Sequence, residues 1–178
     1  MSQARTKAMA GEFSLQRVKG AVVIDSEWKQ TYLATIAIPR LGNLTCNKQM
    51  TGAALLSFRQ ISEAGLADKI DFVDTKRLGG CFNAREIRTA SGTSGRNLSR
   101  HSWSIAIDVN PTTNPYGNVP TLDRCVVEIF RSNGFVGWNV HGPRRHVLRI
   151  HRITEADPDT CLWQGFEGLS SGPTERNE

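Results

Sequence analysis

One histidine and one aspartate, seven positions apart, are the residues of this sequence best suited to chemistry. His101 and Asp108 lie in the stretch SRHSWSIAIDVN, residues 99–110. Aspartate is a poor strand former and is rarely buried unless it is paired or bound to a metal. An imidazole and a carboxylate are both good zinc ligands, and a catalytic zinc needs three protein ligands and one open position. The pair therefore predicts one of two things: half of a zinc site, or an aspartate that ends a strand and hydrogen-bonds a loop, with the histidine stacked nearby.

The spacing of this pair constrains the chain between them. Seven residues of extended strand would span roughly 23 Å, whereas two ligands of one metal have donor atoms only a few ångströms apart. For a shared metal, the chain must turn back or bulge after His101. The histidine would then precede the strand that leads to Asp108.

The other three histidines fall in the segment HGPRRHVLRIHR, at His141, His146 and His151. Their spacing of five matches neither the helical nor the strand period. Taken singly, each is typical of a basic surface segment, because arginines lie among them. Taken together with the first pair, they are the source of a possible third ligand.

Short apolar runs and alternating patterns predict the strands that must position these residues. In the clearest of them, Trp103, Ile105, Ile107 and Val109 fall on one face. A Gly79-Gly80 turn is expected before the strand-like piece that carries Arg85. The predicted strands cover 21–25, 32–39, about 69–73, the piece with Arg85, and 103–110.

Two helices are expected from helical spacing of apolar residues between cap and stop signals. Thr51 would cap the first and Gly65 would end it; Thr121 would cap the second and Gly134 would end it. The whole pattern predicts an α+β fold with two principal helices and a small antiparallel sheet. We expect a loose N-terminal arm at 1–19, one domain at 20–153, and a polar tail at 154–178.

The composition narrows the function classes. The 178 residues include 22 Lys and Arg against 17 Asp and Glu, giving a formal charge of +5. A basic protein is drawn to polyanions, but no basic stripe interleaved with aromatic residues is present, so we predict no nucleic-acid partner.

No apolar run approaches the roughly 20 residues of a membrane span, and the N-terminus lacks the usual signal-peptide form. We expect a monomer that does not insert into membranes.

The four cysteines form no CxxC pair and match no zinc-finger spacing. Buried free thiols are the favoured interpretation. The even number leaves a disulfide open, and the sequence gives no connectivity.

The stretch SRHSWSIAIDVN also resembles the SxHxxGxAxD signature of the D-alanyl-D-alanine carboxypeptidase and L-alanyl-D-glutamate endopeptidase family. These zinc peptidases act on bacterial cell walls, include phage endolysins, and share a Hedgehog-like fold. Ser99, His101, Ala106 and Asp108 match the signature. The segments LTCNKQM, GGCFNAREIR, NPYGN and IFRSNGF are similar to the phage-type branch, so the resemblance covers roughly residues 28–138.

The resemblance implies a zinc-dependent hydrolysis of peptidoglycan stem peptides, by an endolysin-like carboxypeptidase or endopeptidase. Such a protein would be made in the host cytoplasm and act at the cell wall after release. His101 and Asp108 would be the first two zinc ligands. Arg85 would face the substrate carbonyl or carboxylate, and Ser99 would lie beside the site.

The third zinc ligand that the family implies is best matched by His146, from its distance to Phe135. His151 and His141 remain alternatives. In the family, an acidic residue three positions before this ligand takes the proton of the attacking water. Here those positions hold Pro143 before His146 and Leu148 before His151.

Two departures from the family pattern therefore stand out. Ser104 occupies a position that is usually glycine, and the usual acidic base is missing. Acidic residues further on could serve as a substitute base, namely Glu155, Asp157 and Asp159. The second hypothesis is a catalytically impaired relative that binds cell walls or forms part of a phage or phage-like particle.

Overall fold

The chain folds as an α+β protein, as the sequence predicts. The computed structural model describes residues 3–77, 80–88, 94–114, 121–136 and 148–150. The helices are α1 (Gln3–Ala10), α2 (Ser26–Tyr32), α3 (Lys48–Glu63), α4 (Phe72–Arg77) and α5 (Arg124–Ser132), with 3₁₀ helices at Ala67–Lys69 and Arg100–Trp103. The strands are β1 (Leu15–Val18), β2 (Ala21–Ile24), β3 (Leu33–Ile38), β4 (Gly42–Asn47), β5 (Glu86–Arg88), β6 (Ser94–Leu98), β7 (Ala106–Ile107), β8 (Phe135–Val136) and β9 (Leu148–Ile150).

The described strands form three antiparallel hairpins and one three-stranded antiparallel sheet. The hairpins pair β1 with β2, β3 with β4, and β5 with β6. In the three-stranded sheet, β9 lies between β7 and β8. Within the described ranges, no helix is both long and apolar enough to cross a membrane.

The two principal helices, α3 and α5, pack against each other in the core. Phe58 of α3 meets Phe130 of α5 edge to face, with ring centroids 5.4 Å apart, a favoured aromatic geometry. Both helices are followed by a glycine with positive φ, Gly65 at 70° and Gly134 at 85°, which confirms the expected stop signals.

The expected N-caps of these helices are wrong. Asn47 caps α3, where its side chain accepts from the Gln49 N–H, and Asp123 caps α5, where it accepts from two backbone N–H groups. Each helix therefore begins at a different residue than Thr51 and Thr121 would give. Asn and Asp are more favourable than Thr at the N-cap. Strand β4 ends at Asn47, so this residue directly precedes α3.

The N-terminal segment, for which the sequence predicts a loose arm, contains α1 and β1 and contributes to the core. The indole N–H of Trp28 donates to the Ala10 carbonyl, and that of Trp103 donates to the Gly11 carbonyl. Gly11 has φ 86°, and a Cβ at this position would lie 2.5 Å from the Tyr32 ring. The close approach therefore requires glycine.

One predicted strand is helical in the structure, and another is much shorter than predicted. The region 69–73 ends a 3₁₀ helix and begins α4, because the Asp71 carboxylate accepts the Asp74 N–H in the manner of a helix cap. The predicted strand 103–110 is reduced to β7, because Trp103 belongs to the preceding 3₁₀ helix.

Cys46 and Cys81 form a disulfide and are fully buried. The interpretation as free thiols is therefore wrong for this pair. Cys125 is not in a disulfide and is partly exposed, and Cys161 lies outside the described residues. The two bonded cysteines are 35 residues apart in the sequence, so no local motif could have indicated their pairing.

Candidate metal centre

His101 lies in the 3₁₀ helix Arg100–Trp103, and its side chain is buried. The turn ends at Ser104, whose backbone is left-handed with φ 56° and ψ 38°. The chain therefore reverses between His101 and β7, which confirms the bend expected from the spacing. A left-handed residue is most easily supplied by glycine, so the family preference for glycine at this position has a direct structural reason.

The two ring nitrogens of His101 have different surroundings. Nδ1 lies 3.2 Å from the Cys81 carbonyl oxygen. A carbonyl can only accept, so Nδ1 is the donor in this contact. Nε2 is buried without a hydrogen-bond partner. This is the arrangement that a metal-ligating histidine adopts, with one nitrogen held by a carbonyl and the other free for the ion.

The Asp108 carboxylate faces Nε2. Its Oδ2 lies 3.2 Å from His101 Nε2, and the Asp108 side chain is 17% exposed. Two ligands about 2.0–2.2 Å from one tetrahedral ion have donor atoms roughly 3.4 Å apart. The separation and the chemistry of the two donors therefore fit a zinc ion that accepts both.

The segment 81–85 supports one side of the His101 turn by backbone hydrogen bonds. The Asn83 N–H donates to the His101 carbonyl, and the Ser99 N–H donates to the Arg85 carbonyl. Ser102 adds a side-chain clamp, since its hydroxyl accepts from the Arg85 N–H and donates to the Arg85 carbonyl. These contacts bring the backbones of Arg85, Ser99 and His101 together.

The end of β4 supports the other side of the turn. The Asn47 N–H donates to the Ser104 carbonyl, and the Asn47 side chain donates to the carbonyls of Ala10 and Trp103. The Ser104 hydroxyl donates to the Thr45 carbonyl. Every polar group in this contact is thus paired, as buried polar groups must be.

The loop after Asp108 is hydrogen-bonded to α4 and to residues just before it. Asn110, with φ 47°, accepts the Asp71 N–H and donates to the Lys69 carbonyl. Thr112 donates through both its N–H and its hydroxyl to the Asp74 carboxylate. These bonds fix the point at which the chain leaves β7 and so the position of Asp108.

Two basic residues, Arg85 and Arg100, adjoin His101 through the backbone of the turn. Burial lowers the pKa of Arg100, next to His101, from its usual value, although a guanidinium remains charged in proteins. Arg85 is half-buried and Ser99 is buried. Positive charge near the donors would favour an anionic substrate group or an oxyanion.

The candidates for a third ligand, His141, His146 and His151, lie outside the described residues. Among the side chains that the structure describes, no three His, Cys, Asp or Glu residues form a metal-binding group. The backbone register nevertheless places β9 at the site: Leu148 pairs with Ile107, the residue before Asp108.

Sequence reasoning missed the residues that hold His101 in place. The Cys81 carbonyl, the Asn47 side chain and the Ser102 hydroxyl all act over long sequence distances. Only Ser102 carries a local signal, because it is a serine beside the candidate ligand in SRHSW. The contacts of the other two depend on the tertiary fold.

Comparison with known families identifies a similarity over this same segment. A family model described as D-alanyl-D-alanine carboxypeptidase matches residues 92–141. The matched segment contains Ser99, His101 and Asp108 but neither Arg85 nor His146. No curated protein and no solved structure matches the chain significantly. The similarity supports a peptidase-type hydrolase related to peptidoglycan, in a family whose members generally depend on a metal.

Proposed function

We propose that this protein is a zinc-dependent peptidase that cleaves the stem peptides of peptidoglycan, as phage endolysins do. The observation that carries the proposal is the buried Nε2 of His101, which has no hydrogen-bond partner and lies 3.2 Å from an Asp108 carboxylate oxygen. A buried polar atom without a partner is costly. A metal ion bound by both residues would remove that cost.

His146 is the third ligand that the register of β9 favours. Strand β9 runs antiparallel to β7, with Leu148 opposite Ile107 and Arg149 opposite Ala106. Along β9 the chain therefore moves away from Asp108, so a residue just before Leu148 is nearer to Asp108 than one after Ile150. His146 precedes the strand, and His151 follows it.

The chain's own residues then have distinct tasks. His101, Asp108 and His146 would hold the zinc, which when bound lowers the pKa of water and polarises a peptide carbonyl. Arg85 would pair with a substrate carboxylate or with the developing oxyanion through its parallel N–H donors. Ser99 would accept or donate a hydrogen bond at the edge of the site.

No residue is assigned as the general base. Pro143 and Leu148, three positions before His146 and His151, cannot accept a proton. A positioned general base contributes about 10²–10⁴-fold to rate. We therefore expect slow turnover, unless one of the later acidic residues takes this role.

The proposal is tested with purified protein, peptidoglycan and zinc, with released fragments identified by mass spectrometry. Fragments with a new amino terminus are expected, and His101→Ala should abolish them. Asp68→Ala is the matched control, because Asp68 is an exposed carboxylate paired with Lys69, and it should leave cleavage unchanged.

Absence of cleavage by protein that also contains no metal in elemental analysis would refute the zinc peptidase. Retained sedimentation with cell walls in that case would support the alternative, a catalytically impaired relative that binds walls or serves a phage particle.

A further inference from the structure

A surface groove lies between the turn that joins β3 to β4 and helix α4. It has a volume of about 450 Å³, and its lining residues are Arg40, Leu41, Phe72, Val73 and Lys76. Leu41, Phe72 and Val73 form its apolar floor. Val73 is 81% exposed, the largest value for a bulky apolar side chain in the described part of the chain. Val73 and part of Phe72 are therefore left uncovered by the described residues.

Two exposed cations border this floor, Arg40 from the turn and Lys76 from α4. The Arg40 guanidinium lies over Phe72, 5.1 Å from the ring centroid. Other exposed cations pair with an acid, as Arg59 does with Glu63. No acidic side chain of the described residues pairs with Arg40 or Lys76. The groove thus combines apolar surface with two positive charges that no described carboxylate balances.

These two properties together define the ligand that fits the groove. A carboxylate satisfies an exposed cation, and an aromatic ring packs against apolar surface over a large area. A polyphosphate would balance the charges but leave the apolar floor in contact with water. An acidic peptide with an aromatic side chain matches both properties.

Such a peptide is present in the same chain, at residues 155–167, with the sequence EADPDTCLWQGFE. It has four acidic residues and no lysine or arginine, and it includes Leu162, Trp163 and Phe166. Residues 151–178 as a whole hold six Asp and Glu against two Arg, whereas residues 1–150 hold 20 Lys and Arg against 11 Asp and Glu. The C-terminal segment is therefore opposite in net charge to the rest of the chain, a pattern typical of interaction tails.

Strand β9 ends close enough to the groove for this segment to reach it. Ile150, the last residue of β9, pairs with Phe135. Successive ring contacts lead from Phe135 to Phe72 by way of Phe130 and Phe58, with centroids 5.3, 5.4 and 6.4 Å apart. Ten extended residues span about 33 Å, which exceeds this path. Residues from about 160 onwards are therefore within reach of the groove.

We propose that the segment 155–167 docks in this groove of the same molecule. Trp163 packs on the apolar floor, and the acidic residues four positions before and after it, Asp159 and Glu167, face the two cations. One exposed ion pair contributes little by itself, but a tethered segment binds at a roughly millimolar effective concentration, so weak contacts suffice. The contact uses none of the residues of the candidate metal centre, so it can fail without affecting the proposed function.

The first experiment follows Trp163 in the full-length protein. 5-Fluorotryptophan is incorporated at the four tryptophans, and the ¹⁹F signal of Trp163 is assigned by its loss in Trp163→Phe. In wild type this signal should differ in position from that of a synthetic peptide of residues 155–167, and R40Q/K76Q should move it to the peptide position. A wild-type signal at the peptide position, or an unchanged signal in R40Q/K76Q, would overturn the inference.

The matched control is R59Q/R131Q, because it removes the same charge from two exposed arginines of α3 and α5. It should leave the Trp163 signal at the wild-type position. A shift as large as that in R40Q/K76Q would show that the segment responds to overall charge and not to the groove, and would refute the docking.

The apolar part of the contact is tested by Val73→Ser, with Val23→Ser as its control, since both valines are exposed. Val73→Ser should move the Trp163 signal toward the peptide position, and Val23→Ser should not. Equal signals in the two variants would contradict packing of Trp163 on the floor.

Charge reversal distinguishes a direct contact from damage to the groove. R40E/K76E and D159K/E167K should each move the Trp163 signal to the peptide position, and the combination of all four substitutions should restore at least part of the wild-type shift. No recovery in the combination would contradict the pairing of the acids with the two cations.

The last measurement varies salt and protein concentration. Raising the ionic strength from about 0.1 M to about 1 M shortens the screening length from about 10 Å to about 3 Å, so the Trp163 signal should move toward the peptide position. Dilution should leave the signal unchanged, because the segment and the groove belong to one molecule. A shift that disappears on dilution would overturn the inference in favour of docking between two copies of the chain.

Discussion

The two residues that form the candidate metal centre are supported in very different ways. His101 is buried and lies in a turn that is hydrogen-bonded to β4 on one side and to the segment 81–85 on the other. Asp108 is partly exposed and follows a strand of only two residues. One half of the centre is thus rigidly preorganised, and the other depends on a short sheet.

His101 and Asp108 also differ in which part of the chain holds them in place. Residues from Gly11 to Arg85, all earlier in the chain, hydrogen-bond the turn of His101. The strand before Asp108 is paired with β9, which follows it. Neither set of supports lies in the segment matched by the family model, because the partners of the histidine turn precede residue 92 and β9 follows residue 141.

The largest effects are expected from removing the ligands themselves. His101→Ala and Asp108→Ala should each weaken zinc binding by at least about 100-fold, since loss of an orienting partner alone costs 10–100-fold. Chelator competition measures this loss. If Asp108→Ala retained wild-type affinity, the pair would not share a metal.

The same two variants should differ in stability. Replacing the buried histidine leaves a cavity and an unpaired Cys81 carbonyl, so His101→Ala should lower the free energy of unfolding by about 1–3 kcal/mol. Asp108→Ala should change it by less than about 1 kcal/mol, because the carboxylate is partly exposed. Equal losses in urea denaturation would contradict the contrast between the two halves.

Opening the disulfide should cost the most stability of any change on the histidine side. Cys46 and Cys81 are 35 residues apart, and closing a loop of that size stabilises by about 3–4 kcal/mol in the chain-entropy description. C46A/C81A should lose this amount in denaturant unfolding. Cys125→Ala, which removes a cysteine of α5 that is not in a disulfide, should lose less than about 1 kcal/mol.

Two asparagines provide a direct comparison of the supports. Asn47 is fully buried and bonds Ala10, Trp103 and the start of α3, so Asn47→Ala should cost about 2–4 kcal/mol. Asn110 supports the loop after Asp108 and is less buried, so Asn110→Gly should cost about 1–2 kcal/mol. The reverse order in thermal unfolding would show that the aspartate side is the better anchored.

The smallest effect is expected at Ser104. Ser104→Gly relieves a left-handed backbone worth about 1–2 kcal/mol but loses the hydroxyl bond to Thr45, worth about 1 kcal/mol. The net change should be within about 1 kcal/mol. Ser104→Ala loses the bond and keeps the strained backbone, so it should be the less stable variant in the same denaturation assay.

The sequence predicts the α+β class, the strands β2 and β3, and the two principal helices with their glycine stops. These features depend on local patterning. It also predicts the reversal after His101, because a distance argument requires it if one metal is shared. The strand over 103–110 fails because Ile105, Ala106 and Ile107 are all buried, so alternation does not report a half-exposed strand there.

The supports of the site could not be predicted from local patterns. The contacts of Cys46 with Cys81 and of Asn47 with Trp103 join residues that are far apart in sequence. Neither period nor spacing carries information about such pairs. The same holds for α4, where the Asp71 cap outweighs the strand-like apolar residues around it.

The order of these supports along the chain has a consequence for assembly. In a chain made from its N-terminus, the residues between 11 and 85 that hydrogen-bond the His101 turn exist before His101 itself is synthesised. The strand that pairs beside Asp108 is made only after Leu148. The partners of the histidine turn are therefore made before the strand beside Asp108, so under the proposed function metal binding would wait for the C-terminal strand.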